Sequence, residues 1–189
     1  MELQKSNFWN IRHKIFSKFD EWIMCDIIWL NSTKTEEMAI KLGNIVSWNI
    51  VLDWFCWLGS NAIWFALSWK KVITCEVDKN RLEMAKNNAR VYWVQDKITF
   101  IHWNILDYIW KLEYDTAYFD PPWSTNWIYY LNKWKFKFSD YWINGIDLIN
   151  LAKQKTDNII FALPINFDFS ELDSFLWSFV VTKETFEWQ

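Results

Sequence analysis

The hydrophobic positions of this chain form short apolar runs separated by segments with helical periodicity. The apolar runs predict five β-strands and, near the end of the chain, a sixth, at residues 49–53, 71–76, 98–102, 116–119, 158–163 and 179–186. Between them, apolar spacing predicts helices near residues 36–43, 61–67, 79–92, 146–152 and 171–176. Strands alternating with helices are typical of an α/β fold with a mostly parallel sheet and helices on both faces.

The first of these helices has recognisable end signals in the sequence. Ser32, Thr33 and Thr35 are N-cap candidates because they precede Glu36 and the apolar positions that follow. Gly43 comes after the last of those positions. The sequence therefore predicts that this helix ends at Gly43.

Tryptophan and glycine have exchanged their usual abundances. The chain has 17 Trp and only 3 Gly, whereas ordinary usage near 7% would give about 13 glycines in this length. Several Trp stand where a chain turns tightly, as in the segments 47–49, 68–71 and 92–94. Such positions favour glycine because they often require φ > 0.

One mechanism accounts for this exchange. A gene whose UGA codons mean glycine, translated with a table in which UGA means tryptophan, produces Trp at glycine positions. Gly43, Gly59 and Gly145 would then come from ordinary glycine codons and Trp123 from UGG. The alternative is a protein that is genuinely rich in Trp, with an aromatic binding surface.

Length, charge and cysteine usage narrow the class of protein. A length of 189 residues suits one domain, and no apolar run reaches a membrane span of about 20 residues. The start of the chain is not a signal peptide, and three isolated cysteines fit a reducing compartment, so we expect a cytoplasmic protein without disulfide or metal. A net charge of -3 lacks the basic field of proteins that coat nucleic acid, so any RNA footprint is short.

Polar groups follow four consecutive predicted strands. After the first strand, residues 53–60 become a glycine-rich turn if 54 and 57 are glycine, and such a turn lets a ligand approach the backbone. Glu76 and Asp78 follow the second strand and could bind ribose hydroxyls, and Asn104 follows the third and could contact an adenine. The predicted cofactor-binding residues are Asp53, Phe55, Cys56, Gly59, Asn61, Glu76, Asp78 and Asn104. Each of them alone is also compatible with a polar strand end without a ligand.

The fourth strand ends in Asp120, Pro121, Pro122 and Trp123. Tandem prolines form a rigid turn with free carbonyl oxygens, Asp120 adds a carboxylate acceptor, and Trp123 offers a face on which a base can stack. These four candidate catalytic residues could grip a planar base and accept the protons of its amino group. The alternative is a strand end closed by a proline turn, with Trp123 covering the core.

The chain resembles class I S-adenosylmethionine-dependent methyltransferases and, more narrowly, the trimethylguanosine synthase family of RNA cap guanine-N2 methyltransferases. The resemblance is carried by Phe8-Trp9, Arg12, 16–21, 53–59, 87–89, 91–92, 120–123, 158–160 and 163–164. The family has glycine at Trp22, Trp29, Trp57, Trp93 and Trp103, which supports the codon hypothesis. It also has glycines where this chain has Ser124 and Thr125, and often serine in place of Asp120.

The resemblance implies a function and a role for each motif. Asp53 and Glu76 would hold the methionine and ribose parts of the donor, Asn104 would lie at its adenine, and Trp123 would stack on guanine. In the N-terminal acceptor-side segment, residues 1–34, Arg12 and Phe19 would bind substrate, and residues 35–189 would form the methyltransferase domain. The predicted reaction is methyl transfer from S-adenosylmethionine to the 2-amino group of a guanine in RNA.

Two other functions and one unusual feature of the fold stay open. A ribosomal RNA guanine-N2 methyltransferase shares the proline motif, and a non-catalytic RNA-binding module could use the same fold.

A class I sheet usually ends with a seventh strand, which the sequence after Phe186 does not provide, so we expect it to be missing through a truncated gene prediction. If positions 54 and 57 are Trp in the natural protein, we expect their indoles to lie where the donor must bind.

The codon hypothesis predicts the genomic sequence. UGA is expected at positions 54, 57 and 69. UGG at those three positions would contradict it.

Overall fold

A computed structural model describes residues 7–26, 33–46, 49–104, 106, 109–121, 135–141, 143–164 and 166–174. The chain divides into two compact units. The first comprises Met1–Asp120 and Leu151–Ala162, and the second comprises Pro121–Asn150 and Leu163–Gln189. This division does not test the predicted boundary between residues 34 and 35, which stays a prediction. No helix among the described residues is long and apolar enough to cross a membrane.

The first unit is built on a five-stranded parallel sheet with the strand order β3-β2-β1-β4-β5. Its strands are β1 Ile50–Asp53, β2 Lys71–Glu76, β3 Ile98–His102, β4 Thr116–Phe119 and β5 Ile159–Phe161. The prediction of five strands in these places is confirmed, with β5 shorter than expected. The strand order reverses between β1 and β4, and ligands of open α/β sheets bind at the carboxyl edge beside such a reversal.

The register of the parallel pairs shows which residues share that edge. Asp53 lies opposite Thr74 on one side and Tyr118 on the other. Glu76 lies opposite His102. The strand ends that the sequence marked as polar therefore meet at one edge of the sheet.

Five α-helices accompany the strands in the described residues. They are α1 Arg12–Ile15, α2 Glu36–Ile45, α3 Ser60–Leu67, α4 Lys79–Val91 and α5 Gly145–Lys153. Thr35 is the N-cap residue of α2, although its side chain makes no capping hydrogen bond. The predicted end of α2 at Gly43 is wrong because the helix continues to Ile45. A Cβ at Gly43 would lie 2.9 Å from the Cβ of Ser68, so this glycine permits close packing and does not end the helix.

The N-terminal residues pack into the hydrophobic core of the first unit. Ile15 and Phe16 are fully buried in the same cluster as Trp64 and Tyr118. The side chain of Asn88 is also buried: its Oδ1 accepts from the Met24 amide at 2.8 Å, and its Nδ2 donates to Met24 and Leu58 carbonyls at 2.9 and 3.0 Å. One amide thus connects α4 with the N-terminal segment and with the turn after β1.

The second unit has its own aromatic cluster. Phe136, Phe138, Tyr141 and Phe167 are buried, and Phe136 forms a parallel bridge with Phe167. The helix predicted near 171–176 is a 3-10 helix at Phe169–Ser174 in the described residues. The predicted strand 179–186 and the region of a seventh strand lie outside the described residues.

Tryptophan occupies every described non-glycine position with a left-handed backbone. The φ angles are 72° at Trp22, 51° at Trp57, 66° at Trp69 and 56° at Trp93. A side chain in this region costs about 1–2 kcal/mol, which glycine avoids. Three of these residues, Trp22, Trp69 and Trp93, also expose large indoles. The backbone therefore supports glycine at these positions.

We expect Trp22→Gly to stabilise the protein. The substitution relieves the left-handed strain at a side chain that is 88% exposed, so the free energy of unfolding should rise by about 1 kcal/mol in denaturant titrations. Trp103→Gly is the matched control because Trp103 is exposed but has no positive φ. Equal effects of the two substitutions would contradict the strain argument.

Candidate active site

Three carboxylates meet at the carboxyl edge of the sheet. Asp53 ends β1 and Glu76 ends β2, and both are buried. Asp120 directly follows β4, and 13% of its side chain is exposed. Buried carboxylates are rare without partners, so the contacts of each one are informative.

Asp53 is fully buried. Its Oδ2 accepts a hydrogen bond from Thr74 Oγ1 at 3.0 Å, and its Oδ1 accepts one from the Phe55 amide at 3.4 Å. Burial raises the pKa of Asp53 to about 8, the two hydrogen bonds oppose that rise, and the charge of Asp120 adds to it. Asp53 therefore holds a proton near neutral pH that a nearby cation would displace.

Glu76 is oriented by the backbone of two turns. Its Oε2 accepts from the Trp57 amide at 3.1 Å, and its Oε1 accepts from the Asp78 amide at 3.0 Å. Burial raises the pKa of Glu76, and these hydrogen bonds lower it. A carboxylate has about four acceptor sites, so each oxygen keeps capacity for a ligand hydroxyl.

The turn after β1 passes close to helix α4 at Gly59. This residue has a φ of +80°, and a Cβ there would lie 3.0 Å from the Cβ of Ala85. Cys56 in the same turn is buried, and burial raises the pKa of its thiol well above the ordinary value, so the thiol is protonated. The Cys56 amide donates to the Cys75 carbonyl at 2.9 Å, which joins the turn to β2.

The indole of Trp57 spans the carboxyl ends of β1 and β4. Its Nε1 donates to the Asp120 carbonyl at 3.0 Å, and its ring stacks on Phe55 with a centroid distance of 6.2 Å. The expectation that the Trp54 indole lies where the donor binds is wrong. The indole is buried, with its ring centroid 4.5 Å from that of Phe119. The acids around the turn fit a cationic nucleoside donor, whereas the Trp57 indole takes up space above the edge.

Asp120 lies in a network that connects helix α3, strand β4 and the segment before α2. Its Oδ2 contacts Lys34 Nζ, Asn61 Nδ2 at 3.1 Å and the Tyr118 hydroxyl at 3.4 Å. Asn61 was predicted to bind the cofactor, and in the structure its side chain donates to Asp120. The sequence analysis did not identify Lys34. This residue lies in a polar stretch without periodicity, and it is 86 residues away from Asp120 along the chain.

Two predicted cofactor residues make local contacts at the same edge. Asp78 caps α4 by accepting from the amides of Asn80 and Arg81, and the Arg81 bond is the main cause that lowers the pKa of Asp78. Asn104 is exposed, and its Oδ1 accepts from the Leu106 amide at 3.1 Å. Their roles toward a cofactor stay predictions.

The predicted substrate residues of the N-terminal segment contact each other. The guanidinium carbon of Arg12 lies 4.4 Å from the ring centroid of Trp9 and 5.9 Å from that of Phe19. Phe19 is 9% exposed and belongs to the core. Pro121 is buried, and Pro122 and Trp123 lie outside the described residues. Substrate binding by these residues stays a prediction.

Comparison with known proteins identifies the family. The family model for RNA cap guanine-N2 methyltransferases matches residues 48–187. The chain belongs to this family. Trimethylguanosine synthase of Schizosaccharomyces pombe is 28% identical over 89% of this chain and 74% of the relative. The Saccharomyces cerevisiae trimethylguanosine synthase is 27% identical over 87% of this chain, which spans 56% of that relative.

Solved structures agree on the fold. A putative methyltransferase from Porphyromonas gingivalis W83 has a TM-score of 0.69 at 16% identity, over 89% of this chain and 42% of that chain. A methyltransferase from Geobacter sulfurreducens has a TM-score of 0.51 at 13% identity, over 84% of this chain and 69% of that chain. These similarities confirm the predicted Rossmann-like methyltransferase fold.

Family membership confirms several predictions made from the sequence. The chain is an S-adenosylmethionine-dependent methyltransferase of the guanine-N2 RNA family, as predicted from its motifs. Among the described residues, no group of three or more His, Cys, Asp or Glu side chains could hold a metal ion, and the expectation that the protein binds no metal stays a prediction.

We expect Trp57→Gly to raise the affinity for S-adenosylmethionine. Removing the indole clears the space between the turn and Asp120 and keeps the backbone amide that binds Glu76. The dissociation constant measured by calorimetry should fall by about 10-fold or more, which corresponds to about 1.4 kcal/mol.

Trp69→Gly is the control for this experiment. Trp69 also has a positive φ but follows helix α3 at the opposite end from the turn. An equal gain in affinity from both substitutions would show that backbone relief, and not the cleared space, is responsible.

Proposed function

We propose that this chain methylates the exocyclic 2-amino group of a guanosine at the capped 5′ end of an RNA, as a trimethylguanosine synthase does. The relatives that carry this name align over most of the chain. The observation that carries the proposal is the meeting of Asp53, Glu76 and Asp120 at one sheet edge. We also propose a cytoplasmic location, on the basis of three isolated thiols.

The donor side of the proposed site uses the two buried acids. When bound, S-adenosylmethionine supplies an electrophilic methyl group on a sulfonium. Asp53 would bind the ammonium group of the methionine part, because the charge of a cation stabilises an otherwise protonated buried acid. Glu76 would accept hydrogen bonds from ribose hydroxyls, since backbone amides already orient both of its oxygens.

The acceptor side of the proposed site starts at Asp120. Its carboxylate and the Pro121 carbonyl would accept the protons of the guanine amino group and direct the nitrogen lone pair toward the methyl group. Trp123 would stack on the base, a contact worth about 1–3 kcal/mol per base. The reaction would need alignment more than a base: the nitrogen–methyl bond would form as the methyl–sulfur bond breaks to leave a thioether, and the positive charge on the methylated nitrogen would make its proton acidic.

An assay of three RNAs tests the substrate. The full chain with Trp57→Gly is incubated with S-adenosylmethionine and capped RNA, uncapped RNA or ribosomal RNA, and methylated guanosine is measured by mass spectrometry. We expect N2-methylguanosine at the cap. Preference for ribosomal RNA would favour the ribosomal enzyme, and donor binding without methylation of any RNA would favour a non-catalytic module.

Asp120→Ala tests the role of the acceptor carboxylate. We expect turnover to fall by about 100-fold or more, with a smaller change in donor affinity, because Asp120 serves the amine. Asp157→Ala is the control, since that carboxylate is 86% exposed and pairs with Lys153. Equal losses of turnover and donor affinity in Asp120→Ala would contradict the assigned role.

A further inference from the structure

We propose that Lys34 is a positioning residue for Asp120. Together with Asn61 and Tyr118, its ammonium group holds one carboxylate oxygen, Oδ2, and leaves Oδ1 for the acceptor amine. This inference rests on the proposed function and adds a residue that the sequence motifs do not include.

The ion pair between Lys34 and Asp120 is shielded from solvent. The Lys34 side chain is 15% exposed and that of Asp120 is 13% exposed. Charge interactions at such sites are screened much less than those of exposed pairs. The pair therefore restricts the Asp120 side chain more strongly than a surface ion pair would.

The donors to Oδ2 come from three different parts of the first unit. Lys34 precedes α2, Asn61 lies in the first turn of α3, and Tyr118 lies in β4. Among the described residues, every side-chain contact of the Asp120 carboxylate is with Oδ2. Lys34 and Asn61 donate to Oδ2, and the Tyr118 hydroxyl shares its single proton between Oδ2 and Asn61 Oδ1. These contacts fix the rotamer and leave the acceptor sites of Oδ1 for another donor.

The Tyr118 hydroxyl links Asn61 and Asp120 in this network. Burial raises the pKa of its phenol well above the ordinary value, so the hydroxyl keeps its proton and can donate. The hydroxyl lies 3.4 Å from both Asp120 Oδ2 and Asn61 Oδ1, and Lys34 Nζ lies 5.8 Å from the phenol ring centroid. The four side chains thus form one connected cluster.

Lys34 also connects the acceptor carboxylate with the donor side. The charge of Asp120 raises the pKa of Asp53, and the charge of Lys34 lowers it. Two acids at one sheet edge repel each other when both are ionised, and a cation between them reduces that repulsion. The Trp57 indole donates to the Asp120 backbone carbonyl, so glycine at position 57 keeps the side-chain hydrogen bonds among Lys34, Asn61, Tyr118 and Asp120.

A kinetic double-mutant cycle tests the inference. It compares Lys34→Met, Asp120→Asn and the double substitution in the full Trp57→Gly chain, using capped RNA. Lys34→Met should lower kcat by about 10- to 100-fold, because small misplacements in an active site have effects of this size. The dissociation constant of S-adenosylmethionine should change by less than about threefold, and in the Asp120→Asn background Lys34→Met should change kcat by less than about threefold.

Two further variants separate positioning from a general structural effect. Lys34→Arg keeps the cation and should have a kcat at least about fivefold above that of Lys34→Met. Lys41→Met removes a 57% exposed lysine of α2 and should leave kcat unchanged. A Lys34→Met variant with unchanged or raised kcat, or an equal loss in the Asp120→Asn background, would overturn the inference.

Thermal unfolding tests the pair without any assay of activity. Lys34→Met should lower the Tm by roughly 6 °C or more because it leaves a shielded carboxylate without its cation. The double variant should unfold no lower than Asp120→Asn alone. If Lys34→Met lowers the Tm in the Asp120→Asn background by as much as it does alone, the pairing is overturned. If the unfolding data show the pairing but the Trp57→Gly chain does not methylate capped RNA, the result counts against the proposed function only.

Discussion

The structure depends on stabilising three carboxyl groups that lie together at the carboxyl edge of one parallel sheet. Asp53, Glu76 and Asp120 would repel each other and lose hydration there if nothing compensated. Burial keeps Asp53 protonated near neutral pH, backbone amides hold Glu76, and Lys34 pairs with Asp120. The resulting edge is electron-rich and ordered, which suits a cationic donor and an amine acceptor.

Four Trp residues conflict with the backbone that carries them. Trp22, Trp57, Trp69 and Trp93 have φ angles that glycine adopts without strain, and they are separated along the chain. Trp57 belongs to the turn at the donor side, where its indole reaches Asp120. The same conflict at four separate positions supports the hypothesis that the natural protein has glycine there, which stays a prediction until the genomic codons are read.

The sheet was predictable from the sequence because strands buried on both faces appear as apolar runs. Asp53 and Glu76 were predictable because polar residues at the ends of such runs converge at one edge. Gly43 was misread, since the helix there uses glycine for close contact with Ser68. Lys34 gave no local signal because its partner is 86 residues away, and only the folded chain brings the two together.

The binding of S-adenosylmethionine at Asp53 can be measured directly through its proton. The pKa of this acid is raised to about 8, so Asp53 is mostly protonated at pH 7, and an ammonium group beside it would favour the ionised form and release the proton. Calorimetry of the Trp57→Gly chain at pH 7, in two buffers with different ionisation enthalpies, measures that release. We expect the heats to differ by an amount that corresponds to release of up to about one proton, with no difference for Asp53→Asn. Binding heats that are the same in both buffers would contradict the placement of the donor at this acid.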